Sequence, residues 1–203
     1  MTTAIPKDPY LYYKTVSNIV VELSAETITD KHDSMLDKIS ENLFQITLLR
    51  HAESVGNADG YHQGQTEFPL TERGRDQAHA LAEYWYSKNK RFDFCISSPQ
   101  SRARETAEIV AAALGLEIEY NPIWMERDNG HYGGLHQDKA RQLYPYPEFQ
   151  PLYEPIGQTG ESEWELYLRG GQAIQSVLHR LPASYLIVSH GAILNMTMRA
   201  LMG

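Results

Sequence analysis

Residues 44–57 read FQITLLRHAESVGN, and the change of character inside this stretch decides the fold. The first six residues have the apolar, β-branched composition of a short strand buried inside a sheet. Arg50 and His51 follow directly, and a polar, glycine-containing loop continues to residue 69. Thr71 then reads as the N-cap of a helix that carries Ala78, Leu81, Ala82 and Trp85 on one face. The unit is strand, loop and helix.

That unit recurs along the chain. FDFCIS (residues 92–97) is a second strand, with Ser98 placed to cap a helix and Pro99 suited to its first position. Ala103, Ala107, Val110 and Leu114 face inward on this helix, Gly115 stops it, and Arg102 falls in its first turn. EIEY (residues 117–120) is a third strand, followed by the glycine-rich, irregular WMERDNGHYGGL. Pro145, Pro147, Pro151 and Pro155 exclude a long helix over residues 144–160 and predict a covering loop. Residues 162–181 predict a helix with Trp164, Tyr167, Gly171, Ile174, Leu178 and Leu181 in one stripe. YLIVS (residues 185–189) is a strand ending at His190, and an apolar helix over residues 192–201 closes the chain. Strands alternating with helices at this spacing imply a three-layer α/β sandwich, a mainly parallel sheet with helices on both faces.

The chain has 203 residues, of which 42% are hydrophobic, so residues 43–203 can form a single domain with a substantial core. Residues 1–42 differ in character and read as an N-terminal extension. It carries Pro6, Pro9 and a Tyr10, Tyr12 and Tyr13 cluster, then Ile19, Val20 and Val21 as a candidate extra strand, and a polar, weakly helical stretch to residue 42. Cys95 is the only cysteine, which removes an intramolecular disulfide and favours a reducing, cytoplasmic setting. No apolar run approaches the roughly 20 residues that span a bilayer, and the first residues lack a signal-peptide pattern. A net charge of −8 argues against nucleic acid and anionic membrane as partners.

An anionic ligand therefore needs a local cationic pocket. Three strands end beside such groups: Arg50 and His51 after the first, Arg102 just beyond the second, and His190 with Gly191 after the last. Parallel sheets bind ligands at the carboxyl ends of their strands, so residues far apart in sequence can converge there. Arg102 adds a helix N-terminus, whose N–H groups and dipole favour an anion. The implied ligand is a phosphate. No His-x-x-x-His pattern or ligand-spaced carboxylate cluster points to a metal, and His131 and His136 lie five apart on a glycine-rich loop. A nucleotide P-loop is also absent.

The motifs resemble those of the histidine phosphatase superfamily, also called the phosphoglycerate mutase-like family. RHAESVGN (residues 50–57), PLTERG (69–74), SSPQSRA (97–103), Glu126 with GHYGG (130–134), GES (160–162) with Arg169, and SHG (189–191) occur in the family's order. The resemblance covers residues 44–203. It implies that His51 becomes a phosphohistidine, that Arg50, Arg102 and His190 hold the phosphoryl oxygens with His190 protonated beside them, and that Glu126 is the general acid. Physical chemistry agrees: a neutral imidazole with one nitrogen fixed can attack phosphorus, and guanidinium forks match phosphate bidentately. Asn57, Gln63, Gly64 and Thr66 lie where further donors to phosphate or substrate are expected, and Gly191 completes the phosphate-binding set. The sequence departs from the family pattern at Ala52, where glycine is commonest, at Glu67 for aspartate, at Gln100 for leucine, and at Gly133 where glutamate is frequent. The family usually continues with a short strand beyond the last helix, so the chain is either a fragment or its extension replaces that strand.

The stretch between Glu126 and His190 is shorter than the basic insertion by which the family's mutases hold sugar acid phosphates. Its proline-rich part is acidic and aromatic and offers no second arginine cluster. The expectation is a metal-independent, cofactor-free phosphatase, working as a monomer or homodimer on a small phosphomonoester or a phosphorylated protein side chain. A cofactor-dependent phosphoglycerate mutase and a noncatalytic phosphate-binding module of the same fold are the alternatives. Residues 1–42 could also serve as a partner-docking arm.

Overall fold

The computed structural model describes residues 21–24 and 43–203. The tyrosine cluster, Ile19, Val20 and the weakly helical stretch lie outside them. Four strands run parallel: β2 (Leu43–Arg50), β3 (Phe94–Ser97), β4 (Ile118–Tyr120) and β5 (Ser184–Ser189), while β1 (Val21–Ser24) is antiparallel to β2 with Val21 opposite Ile46. The order is β1-β2-β5-β3-β4. The last strand therefore inserts between the first two strands of the parallel set, and the chain reverses its winding beside it. That is where open α/β sheets form a crevice.

Period-two alternation explains the layers. Leu186 and Val188 of β5 join Leu49 and Cys95 on one face, under α2 (Glu72–Ser87) and α3 (Ser101–Leu114). Tyr185 and Ile187 join Ile46, Leu48 and Ile96 on the other, under α5 (Glu163–Leu178) and α6 (Gly191–Met202). Two short helices, α1 (Val55–Ala58) and α4 (Gln137–Leu143), lie in the connections. The three-layer sandwich read from the sequence is the fold. Leu186 sits at its centre, fully buried, and its truncation to alanine costs about 2–5 kcal/mol. Cys95 is buried too, and burial pushes its thiol up to about 12, so it packs as an inert hydrophobe.

Local signals set the helix ends. Thr71 Oγ1 accepts from Gly74 N at 2.9 Å, Ser162 and Glu165 form a reciprocal capping box, and Gly115 ends α3 in the left-handed region at φ 70°. Ser98 does not cap α3. Its N–H pairs with Val188 O at 3.0 Å, which carries the extended backbone past β3 and delays the helix to Ser101. Glu67, reaching over from the loop after β2, accepts from Ser101 N at 2.8 Å and satisfies the first turn instead.

The α5 stripe also differs from its expected phase. Leu166, Gly170, Ala173, Ile174 and Val177 are buried, while Trp164 is exposed and Leu181 lies exposed beyond the end of α5. The reason is the close approach of α6: a Cβ at Gly170 would stand 2.8 Å from Thr197 N, so glycine must face that helix. Trp164 stacks on Tyr167 at the surface rather than filling the core. The sequence pattern also passed over α4, a seven-residue helix in which Ala140 is buried.

Candidate active site

The site grows from the carboxyl ends of β2 and β5, which lie side by side. Their pairing continues one step past the strands, with His51 N donating to Ser189 O at 2.9 Å, so His51 and His190 emerge together. Their ring centroids are 5.1 Å apart and both side chains are buried. His51 Nδ1 lies 2.7 Å from Ala52 O, and since a carbonyl only accepts, Nδ1 carries the proton. Nε2 is then a lone pair, and it accepts from Arg102 Nε at 3.2 Å. Burial, followed by the Arg102 charge, lowers the His51 pKa to about 3, so the imidazole is neutral through the physiological range.

Arg102 is held by the loop that follows α1. Its Nη2 donates to Gly64 O at 2.7 Å and its Nη1 to Thr66 O at 3.1 Å. Gly64 supplies that carbonyl from φ +50°, with a Cβ position only 2.9 Å from Asn129, which restricts the residue to glycine. Burial brings the guanidinium down to about 10, the Glu126 and Glu67 carboxylates work against that, and it stays cationic at neutral pH. Thus Gly64 and Thr66 orient Arg102 through their carbonyls. Gln63 is buried one step behind, its Oε1 accepting from Ser54 Oγ at 2.6 Å, and Asn57 closes the capping box of α1 with its Oδ1 as acceptor.

Arg50 projects over the start of α6, its Nε 3.6 Å from where a Cβ of Gly191 would stand. Among the described residues its guanidinium makes no hydrogen bond or ion pair, which leaves its donors for a ligand. His190 Nε2 is 2.8 Å from Ser98 Oγ, and its Nδ1 is buried with no protein partner among the described residues. Burial first, then Arg102, holds the His190 pKa well below its ordinary value. Protonation of His190 beside a phosphate therefore requires the anion itself to reverse this environment.

Glu126 is fixed from several sides. Its Oε1 accepts from Arg127 N at 2.9 Å, Ala192 N at 3.1 Å and Ile193 N at 3.3 Å, whereas Oε2 takes only a second contact from Ala192 N at 3.3 Å. Oε2 is the less occupied of the two oxygens. Arg169 supports the loop from below: it pairs with Glu161 at 2.6 Å and donates to the carbonyls of Ile123, Met125 and Glu126. Two contributors escaped the sequence reading, Ser98 behind His190 and Gln100 between the loops. At the rim, Tyr146 of the proline-rich segment meets His62 Nε2 at 2.7 Å, and burial together with Arg141 and Arg127 lowers the His62 pKa.

Among the described residues no group of three or more His, Cys, Asp or Glu side chains is placed to hold a metal ion, and no helix is long and apolar enough to cross a membrane. The arrangement is a neutral histidine beside Arg102 of α3, with Arg50 and His190 at the ends of adjacent parallel strands, a set that can hold and transfer a phosphoryl group. Residues 46–203 match the histidine phosphatase superfamily (branch 1), and the chain belongs to that family. A protein of Yersinia enterocolitica serotype O:8 named Probable phosphoglycerate mutase GpmB is 35% identical over 170 residues, covering 79% of this chain and 76% of that protein. The structure of a mycobacterial glucosyl-3-phosphoglycerate phosphatase in complex with VO3 superposes with a TM-score of 0.67 at 25% identity, covering 76% of this chain and 80% of that one. The alpha-ribazole phosphatase from Shigella flexneri gives 0.66 at 26% identity, over 78% and 79% of the two chains. The similar proteins bear the names of phosphatases and of a mutase, and the chain is an enzyme of that family.

Proposed function

We propose that the protein is a phosphatase that hydrolyses phosphomonoesters through a phosphohistidine at His51, with no metal or other cofactor taking part. The observation that carries this reading is the locked tautomer of His51, whose Nδ1–H is held by Ala52 O while Nε2 keeps its lone pair beside Arg102. In the first step Nε2 attacks phosphorus, the P–O ester bond breaks, and Glu126 gives its proton to the departing alcohol. Arg50, Arg102 and His190 hold the equatorial oxygens and the charge that gathers on them. In the second step water attacks phosphorus, the P–N bond breaks, and the Glu126 carboxylate takes the proton of the water. His51 returns to its starting tautomer, and inorganic phosphate leaves.

Residues 43–203 serve as the catalytic domain and residues 1–42 as an extension of it. The expected substrate is a small phosphomonoester or a phosphorylated protein side chain, met in the cytoplasm by a monomer or homodimer. The net charge of −8 supports a reading without nucleic acid or membrane partners. The phosphatase names of two similar structures support hydrolysis. The 35% identity to a named phosphoglycerate mutase favours a second reading, transfer between two positions of phosphoglycerate. A noncatalytic module is disfavoured by the complete set of Arg50, His51, Arg102, Glu126 and His190.

The test is phosphate release from an aryl phosphate in EDTA, compared with His51→Ala. Release that survives EDTA, vanishes in the variant and passes through an acid-labile, base-stable phosphoenzyme is the expected result. Interconversion of phosphoglycerates with little free phosphate would overturn it in favour of the mutase.

A further inference from the structure

The geometry points to Gln100 as a positioning residue that ties the arginine clamp to the general acid, an inference that rests on the phosphatase reading above. Gln100 is 1% exposed and lies between the loop after β2 and the loop carrying Glu126. Its Nε2 donates to Gly64 O at 3.0 Å, and its Oε1 accepts from Glu126 N at 2.7 Å. The same Gly64 carbonyl receives Arg102 Nη2 at 2.7 Å. One side chain therefore touches the acceptor that aims Arg102 and the backbone of the residue that protonates the leaving group.

A primary amide suits this place. It donates at one atom and accepts at another without charge, which is what a carbonyl on one side and an N–H on the other demand. The leucine usual in the family could satisfy neither, leaving Glu126 N–H without its acceptor and Gly64 O with Arg102 alone. The two loops would then be free to set the clamp and the acid independently. With glutamine, displacement of either loop pulls on the other, because both hydrogen bonds end on one rigid, buried amide.

Two variants separate the halves. Gln100→Leu removes both bonds, while Gln100→Glu, assayed at a pH high enough to ionise its carboxyl, keeps an acceptor for Glu126 N and loses the donor to Gly64 O. Each is assayed with an aryl phosphate, whose leaving group needs little protonation, and an alkyl phosphate, whose leaving group needs it fully. Folding of each variant is checked by its thermal melt, and clamp integrity by inhibition with vanadate. For Gln100→Leu, kcat should fall about 30-fold on the alkyl ester and only about 3-fold on the aryl ester, a fraction of what a general acid supplies. Vanadate should bind several-fold more weakly. Gln100→Glu should restore most of the alkyl rate while vanadate affinity stays low.

Equal losses on both esters, or an unchanged profile in both variants, overturn the positioning role. If Gln100→Leu fails to fold, Gln100→Glu alone decides: a lost alkyl rate with intact vanadate affinity overturns it. A native protein that releases phosphate from neither ester sinks the phosphatase reading and this inference with it. That result is distinct from an active, His51-dependent enzyme indifferent to residue 100.

Discussion

Arg102 Nε donates to His51 Nε2 across 3.2 Å, so the guanidinium that would grip the phosphoryl group also occupies the lone pair that would attack it. The contact keeps the imidazole neutral and aimed, and an incoming phosphoryl oxygen can draw the fork off the nitrogen as it binds. In the proposed mechanism, recognition and unmasking of the nucleophile would then be one event.

The first consequence is spectroscopic. His51 should show a single neutral tautomer, protonated at Nδ1, from pH 5 to 8, because burial and the neighbouring Arg102 bring its pKa to about 3. Nitrogen-15 NMR of histidine-labelled protein checks this directly. A His51 signal that titrates near 6.5 would contradict the arrangement.

A second prediction concerns acid stability. His51 and His190 both have depressed folded-state values, so the unfolded chain binds more protons below its ordinary histidine pKa of 6.5. Their contribution is complete above 6.5 and is lost as pH falls below it, for His51 down to about 3. The slope is about 1.4 kcal/mol per pH unit for each histidine inside its window. Urea melts at pH 7.5 and 5.0 should show the lower midpoint at pH 5.0, and His51→Gln should reduce that difference by roughly 2 kcal/mol. A His51→Gln protein with the native pH dependence would refute the assignment.

The strand ends and their histidines were legible because each follows an apolar run whose period-two burial is a local property. Arg50, His51 and His190 needed only that and the topology rule for parallel sheets. What stayed hidden depends on partners distant in sequence. Nothing near Ser98 shows that its N–H will pair with Val188 and its hydroxyl with His190, so the short-range rule made it a cap. The phase of α5 is set by how closely α6 approaches Gly170, which a periodicity computed on α5 alone does not contain. In the sequence Gln100 stands out only as a departure from the family's usual leucine, because its two partners are set by loops that fold around it. Of the run Ile19, Val20 and Val21 only Val21 lies within the described residues, and only the antiparallel pairing of Val21–Ser24 shows that β1 lies along the outer edge of β2.

Glu126→Gln separates acid catalysis from binding. The amide can still occupy the start of α6, but it cannot pass a proton to the leaving group. Alkyl phosphates should slow by about 10²-fold or more and aryl phosphates by far less, in line with the usual contribution of a general acid. Burst kinetics and steady-state rates on both substrate types measure it. Equal losses would remove Glu126 from the acid role.

Arg169 offers the sharpest contrast between charge and geometry. Its Nε and Nη2 meet the two oxygens of Glu161 at 2.7 and 2.6 Å, while Nη1 donates to Ile123 O at 2.9 Å and Met125 O at 2.7 Å. Both partners are mostly buried, so the pair is screened little by salt. Arg169→Lys keeps the charge but has a single nitrogen and no fork, so it cannot serve the carboxylate and the two carbonyls together. The expected cost is about 1–3 kcal/mol in unfolding free energy for the carbonyls left without a donor. Because those carbonyls lead straight into Glu126, kcat on an alkyl phosphate should fall roughly tenfold, one order below the loss of the acid itself. Vanadate inhibition should hardly change, since Arg102 and His190 are anchored by other groups and Arg50 hydrogen-bonds to neither Arg169 nor Glu161. A parallel loss of vanadate affinity would show that Arg169 supports the whole site rather than the acid loop.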